Sequence, residues 1–234
     1  MSLISCVDES LRSRLAEVDS RIADAARAAD RNPADLTRIV ITKFHPASLV
    51  RDLVELGVRD VGENRHQEAS AKATELADLT ELNWHFVGQL QSNKARAVRE
   101  YARAVHSVDR TSLVSALAAR PGDARTVDVF LELNLTDDPG RGGVAPADAE
   151  RLADAVLAAK GLRLRGVMAV APLEGDPQAA FAKVRSVSER IRLLDPTATA
   201  ISAGMSGDFP EAIREGATHL RIGTAITGKR PSGG

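Results

Sequence analysis

The run Arg38-Ile39-Val40-Ile41-Thr42-Lys43 decides how the chain is read. Three consecutive β-branched aliphatics without polar alternation describe a strand buried on both faces, as parallel sheets require. The strand ends on a lysine, and Phe44-His45-Pro46 then turns the chain into a helix. A cation at the end of a buried strand is costly unless it has a partner or a task. It is either a snorkelling, salt-bridged side chain or an amine kept partly dry so that it attacks a carbonyl. Lysine is scarce here: only Lys43, Lys72, Lys94, Lys160, Lys183 and Lys229 occur, and arginine supplies the other basic residues. That scarcity favours a task for Lys43.

Working outward from this run, one unit repeats. Leu11, Leu15, Val18 and Ile22 recur at helical spacing within a helix over 8–30, which Asn32-Pro33 closes. After the 38–43 strand come a helix over 46–56, a strand over 58–61 and the turn Gly62-Glu63-Asn64. A helix over 66–77, a strand over 84–87 ending at Gly88 and a helix over 94–102 follow. The next strand is 104–108, with Asp109 as the cap of a helix over 110–119. Arg120-Pro121-Gly122-Asp123 leads into a strand over 127–134, then a glycine-rich loop, 136–143, expected to be the mobile segment. The remainder reads as helix 146–159, strand 164–170, helix 181–194 and strand 200–202. A helix opened by the capping box Asp208-x-x-Glu211 and a strand over 219–224 complete it. Eight strands, each followed by a helical or turn segment, predict an α/β fold: a single-domain (β/α)8 TIM barrel over 1–234 with an extra amino-terminal helix. A doubly wound open sheet competes, but no G-x-G-x-x-G follows the first strand.

Composition narrows the function. A chain of 234 residues with 44% hydrophobic and 27% charged residues and a net charge of -1 has no global pull toward nucleic acid or anionic lipid. No apolar run approaches the ~20 residues that span a bilayer. The single Cys6 and a charged helix directly after Met1 to Ile4 give the expectation of a cytoplasmic protein in a reducing compartment. His45, His66, His85, His106 and His219 never fall at H-x-x-x-H spacing, so no metal site is expected.

In such a barrel the active face lies at the carboxyl ends of the strands. Those ends gather Lys43, Glu63-Asn64, Gly88, Asn134, Met168, residues 202–206 and residues 221–224. Gly204-Met205-Ser206 and Ile222-Gly223-Thr224 offer close backbone approach, N–H groups and hydroxyls, which a phosphate dianion needs. A lysine facing a phosphate cup suggests pyridoxal 5′-phosphate. Arg221 shares the inward face with Gly223 by strand alternation. It makes either a barrel-mouth salt bridge or a hydrogen bond to the pyridine nitrogen. A guanidinium there would leave that nitrogen unprotonated and the ring a poorer electron sink. Trp84 and His85 alternate, so one faces the barrel and the other the helices. A core histidine bonded to backbone is as good a reading of His85 as a ligand contact.

Several longer segments carry a resemblance. Ile41-Thr42-Lys43, Gly62-Glu63-Asn64-x-x-Gln67-Glu68, the run from Trp84 to Lys94 (WHFVGQLQSNK), Gly204-Met205-Ser206-x-Asp208 and Arg221-Ile222-Gly223-Thr224-Ala225-Ile226-x-Gly228 resemble the YggS/PROSC pyridoxal phosphate homeostasis family. The resemblance implies a barrel like the amino-terminal domain of alanine racemase (fold type III of the pyridoxal phosphate proteins), with the cofactor as an internal aldimine on Lys43. It further implies that Arg221 faces the pyridine nitrogen, Ser206, Gly223 and Thr224 bind phosphate, Asn64 lies beside the ring and Met205 lines the pocket. A monomeric, non-catalytic protein that stores, buffers or delivers the cofactor, in transient contact with apoenzymes, is the expectation. Arg65-His66, Gly207 and Thr227 depart from the family pattern, and the departures are expected at the rim. The alternative is a racemase-like enzyme, which needs a second acid/base opposite the lysine. The one tyrosine, Tyr101, falls at the end of a predicted helix, and no second domain is expected. A Schiff-base aldolase acting on a phosphorylated sugar would explain the lysine and the phosphate cup but not these segments.

Overall fold

Apolar residues at Ile39, Val40 and Ile41 give the first strand two faces to bury, and the computed structural model buries both by closing the sheet on itself. It describes residues 8–136, 138 and 140–229, so Cys6 and the residues at the amino terminus lie outside the described residues. The strands are β1 (Thr37–Ile41), β2 (Asp60–Glu63), β3 (Asn83–Phe86), β4 (Ala104–Val108), β5 (Val127–Glu132), β6 (Leu162–Met168), β7 (Ala200–Ser202) and β8 (His219–Ile222). They pair in order, all parallel, and β8 returns to β1 with Thr37 opposite His219 and Val40 opposite Ile222. Helix α1 (Glu9–Ala28) precedes the barrel. Between strands run α2 (Ala47–Glu55), α3 (His66–Glu75), α4 (Ala95–Tyr101), α5 (Thr111–Leu117), α6 (Ala149–Ala158), α7 (Pro177–Leu194) and α8 (Phe209–Arg214). A last short helix, α9 (Thr224–Thr227), follows β8. The closed parallel sheet excludes the doubly wound alternative.

Several local expectations are corrected. The first strand stops at Ile41, and Phe44 takes a left-handed φ of 68°, so Thr42 and Lys43 belong to the turn beyond it. Asp109 does not cap α5: Arg110 holds the cap position, and the Asp109 carboxylate accepts from the Arg110 guanidinium at 2.5 Å instead. The capping box at Asp208 does not form either. Its Oδ1 accepts the Met205 N–H at 2.6 Å, which shapes the loop before α8 rather than the helix. The predicted 146–159 helix opens as a 3-10 turn over Pro146–Asp148. The 181–194 helix begins earlier, at Pro177, where Asp176 accepts the Gln178 N–H. The last strand ends at Ile222 because Gly223 starts α9, which hydrophobic periodicity did not reveal.

Two cores result. The outer one lies between the strands and the helices and includes Val40, Val61, Trp84, Phe86, Val105 and Leu131. Helix α1 joins it through Leu11, Leu15, Val18 and Ile22, packing on α8 and α9. The inner core fills the barrel with Ala104, Phe130, Met168 and Ala200, alongside polar residues where such barrels usually carry branched aliphatics. Met168, expected at the mouth, is therefore interior packing.

Gly166 shows how tightly β6 and β7 are fitted. Its φ of +145° is unfavourable for any side chain, and a Cβ there would overlap the Ala200 carbonyl. Gly166→Ala is expected to destabilise the fold by at least about 2 kcal/mol, from backbone strain plus overpacking. Urea unfolding checks this; an unchanged midpoint would contradict it.

Candidate functional site

The strand ends open into a cavity of about 490 Å³. Lys43, Phe44 and His45 bound it after β1, and Asn64 after β2. Met205 and Ser206 follow β7, while Arg221, Gly223 and Thr224 close it from β8. All seven residues singled out in the sequence (Lys43, Asn64, Met205, Ser206, Arg221, Gly223, Thr224) thus meet on one wall. Gly207 and Thr227, where the chain departs from the family pattern, line the cavity itself, whereas Arg65 and His66 do not.

The turn after β1 aims Lys43. Phe44 in the left-handed region costs about 1–2 kcal/mol, and its N–H donates to Glu68 Oε2 at 3.1 Å. Its ring lies under two cations, Lys43 Nζ at 5.9 Å and the Arg65 guanidinium at 5.4 Å. Lys43 itself is exposed, contrary to the expectation of a partly dry amine. What is buried is the residue before it. Thr42 Oγ1 donates to Glu63 Oε1 at 2.6 Å, and Lys72 Nζ donates to the same oxygen at 2.6 Å and to the Thr42 carbonyl at 2.9 Å. Burial pushes the Glu63 carboxyl up, against hydrogen bonds from Lys72 and Thr42 that pull it down. Glu63, expected at the mouth, is therefore a strut behind it. Sequence reasoning passed over Lys72. Its signal was a lysine on the apolar stripe Ala69, Lys72, Leu76 of α3 and its cap.

Other mouth residues also prove to be supports. A side chain at Gly88 would overlap the Asn64 carbonyl, so this glycine lets the loops after β2 and β3 touch and sets Asn64 in the wall. Asn134 fastens the 136–143 loop. Its Nδ2 donates to the carbonyls of Asp138 and Arg141 at 2.9 and 3.1 Å, and its Oδ1 accepts the Thr136 N–H at 2.9 Å. Arg141 then reaches the Val170 and Ala171 carbonyls at 3.4 Å, beside the wall.

After β7, Gly204 turns at φ +92°, where a Cβ would press on Ala212 and Phe209, and swings Met205 and Ser206 over the cavity. Gly223 caps α9, whose first N–H groups have no intrahelical partner. Arg14 Nε holds α9 in place through the Ile226 carbonyl at 2.7 Å. The Ser206 and Thr224 hydroxyls and these N–H groups form a donor cluster.

Arg221 is 5% exposed. Its Nη1 donates to Ser202 O and Oγ, both at 2.7 Å, and its Nη2 to the Ala169 carbonyl at 2.8 Å. Among the described residues no carboxylate lies within ion-pair distance of it, so the salt-bridge reading is not met. Burial lowers its pKa to about 10, opposed by the more distant Asp208 and Glu132. Glu132, which sequence reasoning missed, is pushed up to about 7 by burial and by Asp109. His85 faces the barrel and Trp84 the helices, but His85 does not bond backbone: its ring nitrogens meet Asp60 and His106, each at 2.9 Å. Tyr101 ends α4 with its hydroxyl 3.5 Å from His66 Nδ1, off the cavity wall. Among the described residues no group of three or more His, Cys, Asp or Glu could hold a metal ion, and no helix is long and apolar enough to cross a membrane.

The donor set fits pyridoxal 5′-phosphate: an amine, a buried guanidinium and a hydroxyl and N–H cluster share one wall. A family model described as the alanine racemase amino-terminal domain matches residues 15–231. The pyridoxal phosphate homeostasis protein of Pseudomonas aeruginosa is 42% identical over 224 residues, covering 95% of this chain and 97% of its own. PipY of Synechococcus elongatus, solved with pyridoxal phosphate bound, is 36% identical with a TM-score of 0.81, covering 92% of this chain and 99% of its own. Alanine racemase of Corynebacterium glutamicum, 14% identical, shares the fold with a TM-score of 0.70 over 93% of this chain and 60% of its own. The chain belongs to the pyridoxal phosphate homeostasis protein family.

Proposed function

We propose that this protein binds pyridoxal 5′-phosphate at the carboxyl-terminal mouth of the barrel and stores, buffers or delivers it without catalysing a reaction of its own. The observation that carries this reading is Arg221: a buried guanidinium with no carboxylate within ion-pair distance among the described residues, on the same wall as the Lys43 amine and the donor cluster. When bound, the cofactor supplies an aldehyde that condenses with amines and a ring that withdraws electrons.

Lys43, aimed by the Phe44 turn, would present its amine to the aldehyde. Ser206, Gly223 and Thr224 would hold the phosphate through hydroxyls and N–H groups. Arg221 would donate to the ring nitrogen and, being cationic, keep a proton off it, which suits holding the cofactor better than carbanion chemistry. Asn64 and Met205 would line the space beside the ring. The exposure of Lys43 and Met205 leaves the mouth open for loading and release.

A racemase-like enzyme is the second reading, because His45 also lines the cavity. His45 sits on the Lys43 side, however, and burial lowers its pKa. A two-faced proton transfer needs an acid/base on the other side of the ring, and Tyr101 is not on the wall. Assaying the loaded protein for racemisation of amino acids separates the readings: no turnover supports the carrier, and sustained turnover overturns it. A monomer in the cytoplasm, touching apoenzymes transiently, completes the proposal.

Lys43→Ala is expected to take up the cofactor only weakly through its phosphate, with no borohydride-trappable link and no imine band. A variant that kept the imine band would refute the assignment of Lys43. Arg221→Glu is expected to draw a proton onto the ring nitrogen and move the absorption band. Arg221→Gln, neutral and still a donor, is expected to leave the band in place while lowering affinity by about tenfold, or about 1.4 kcal/mol. Identical spectra and affinities for both variants would count against the nitrogen contact.

A further inference from the structure

A line of hydrogen bonds runs through the barrel beneath the cavity and ends at the opposite mouth. Arg221 Nη1 donates to Ser202 Oγ at 2.7 Å, and Ser202 Oγ lies 2.9 Å from His106 Nδ1. His106 Nε2 lies 2.9 Å from His85 Nδ1, and His85 Nε2 lies 2.9 Å from Asp60 Oδ1. In the sheet β4 neighbours only β3 and β5, so the contact between His106 and Ser202 of β7 must cross the interior. Ser202 and His106 are fully buried and His85 is 5% exposed, whereas the Asp60 side chain, on the first residue of β2, is 26% exposed. Solvent therefore reaches the line at the Asp60 end. Phe130 stacks on His106 at 4.2 Å and leaves that ring little freedom to turn.

Donor and acceptor capacity fixes the direction of the line. An ionised Asp60 only accepts, so His85 Nε2 carries a hydrogen. In neutral His85 the other nitrogen accepts, so His106 Nε2 carries a hydrogen and His106 Nδ1 accepts from the Ser202 hydroxyl. Every donor then points from Arg221 toward Asp60. One proton gained by His85 gives it hydrogens on both nitrogens. His106 Nε2 must then accept, its hydrogen resides on Nδ1, and that N–H points at Ser202 Oγ. The serine oxygen now accepts from both His106 and Arg221, which weakens its hold on the guanidinium.

The surroundings identify which histidine takes the proton. His85 faces Asp60 of β2, His106 of β4 and His219 of β8. Asn83 bonds Asp60, and His219 in turn faces Arg165 of β6 and Asp128 of β5. His106 faces His85, His219 and Arg221, and burial holds it neutral. Burial lowers His219 to about 4. Of the three, only His85 has a carboxylate within hydrogen-bond distance.

We propose that Ser202, His106, His85 and Asp60 are positioning residues for Arg221, forming a directed hydrogen-bond chain that transmits the protonation of His85 to the guanidinium on the cavity wall. It rests on the pyridoxal phosphate reading only for the identity of the group that Arg221 meets.

The test uses the full chain, labelled with ¹⁵N at histidine and arginine and first without cofactor. Side-chain spectra are followed from about pH 8 to about pH 5, the histidine range. The expected result at the upper end is neutral His106 with its hydrogen on Nε2. On acidification His85 gains a second hydrogen. His106 stays neutral but moves its hydrogen to Nδ1, and the Arg221 Nη signals shift, all with one midpoint. Ser202→Ala is expected to abolish the Arg221 shift while His85 still gains its second hydrogen. A hydrogen on His106 Nδ1 at the upper end, or an Arg221 signal indifferent to the His85 midpoint, overturns the proposal. The native spectra decide it even if the variant does not fold. Added pyridoxal phosphate then gives a separate answer: its visible band is expected to move with the same midpoint. A band that ignores that midpoint overturns transmission to the cavity. Failure to take up any cofactor overturns the function proposed above, while the histidine and arginine spectra still decide the chain.

Discussion

The pairing of β1 with β8 is the constraint on which the rest depends. It sets Thr37 against His219 and Val40 against Ile222, and so places the turn carrying Lys43 beside Gly223 and Thr224. Without that closure the amine and the donor cluster would sit on opposite edges of an open sheet. The chain strengthens the seam from outside. Helix α1 packs on α8 and α9, and Arg14 ties α9 to it through the Ile226 carbonyl. A helix that looks like an appendage in the sequence is thus a clamp on the site.

Closing the barrel also creates an interior, and this one is unusually polar. Phe130 and Met168 fill part of it, but Ala104 and Ala200 leave space that His85, His106, Ser202 and Arg221 occupy. Desolvating a guanidinium costs several kcal/mol. Hydrogen bonds to Ser202 and the Ala169 carbonyl offset part of that cost, and the open side of Arg221 faces the cavity. A group that accepts a hydrogen bond there would recover more of it. The same low dielectric makes the histidine line stiff, because leaving any member unpaired would be expensive.

The architecture was legible because strands buried on both faces leave continuous aliphatic runs, as at Ile39-Val40-Ile41, and glycines follow several of them, as at Gly88, Gly204 and Gly223. The seven wall residues were legible for a related reason: they sit at strand ends, where position in the sequence nearly equals position around the mouth. What failed were the inferences that depend on a third residue. Asp109 and Asp208 have the right identity for caps, but Arg110 and the Met205 N–H compete for their oxygens. Lys72 and Glu63 lie on consecutive elements and pair because α3 folds back over β2, with Thr42 of the preceding turn as the third member. Lys43 was read as dry from its strand, but the Phe44 turn carries it outward. The line from Arg221 to Asp60 joins five strands, and no spacing in the sequence encodes it.

The central claim is that Lys43 anchors pyridoxal 5′-phosphate at this mouth. The most direct measurement is borohydride reduction of the cofactor-loaded protein, followed by peptide mapping of the trapped adduct. The expected result is a single modified peptide bearing the adduct on Lys43. Modification spread over several lysines, or confined to another such as Lys72, would contradict the account.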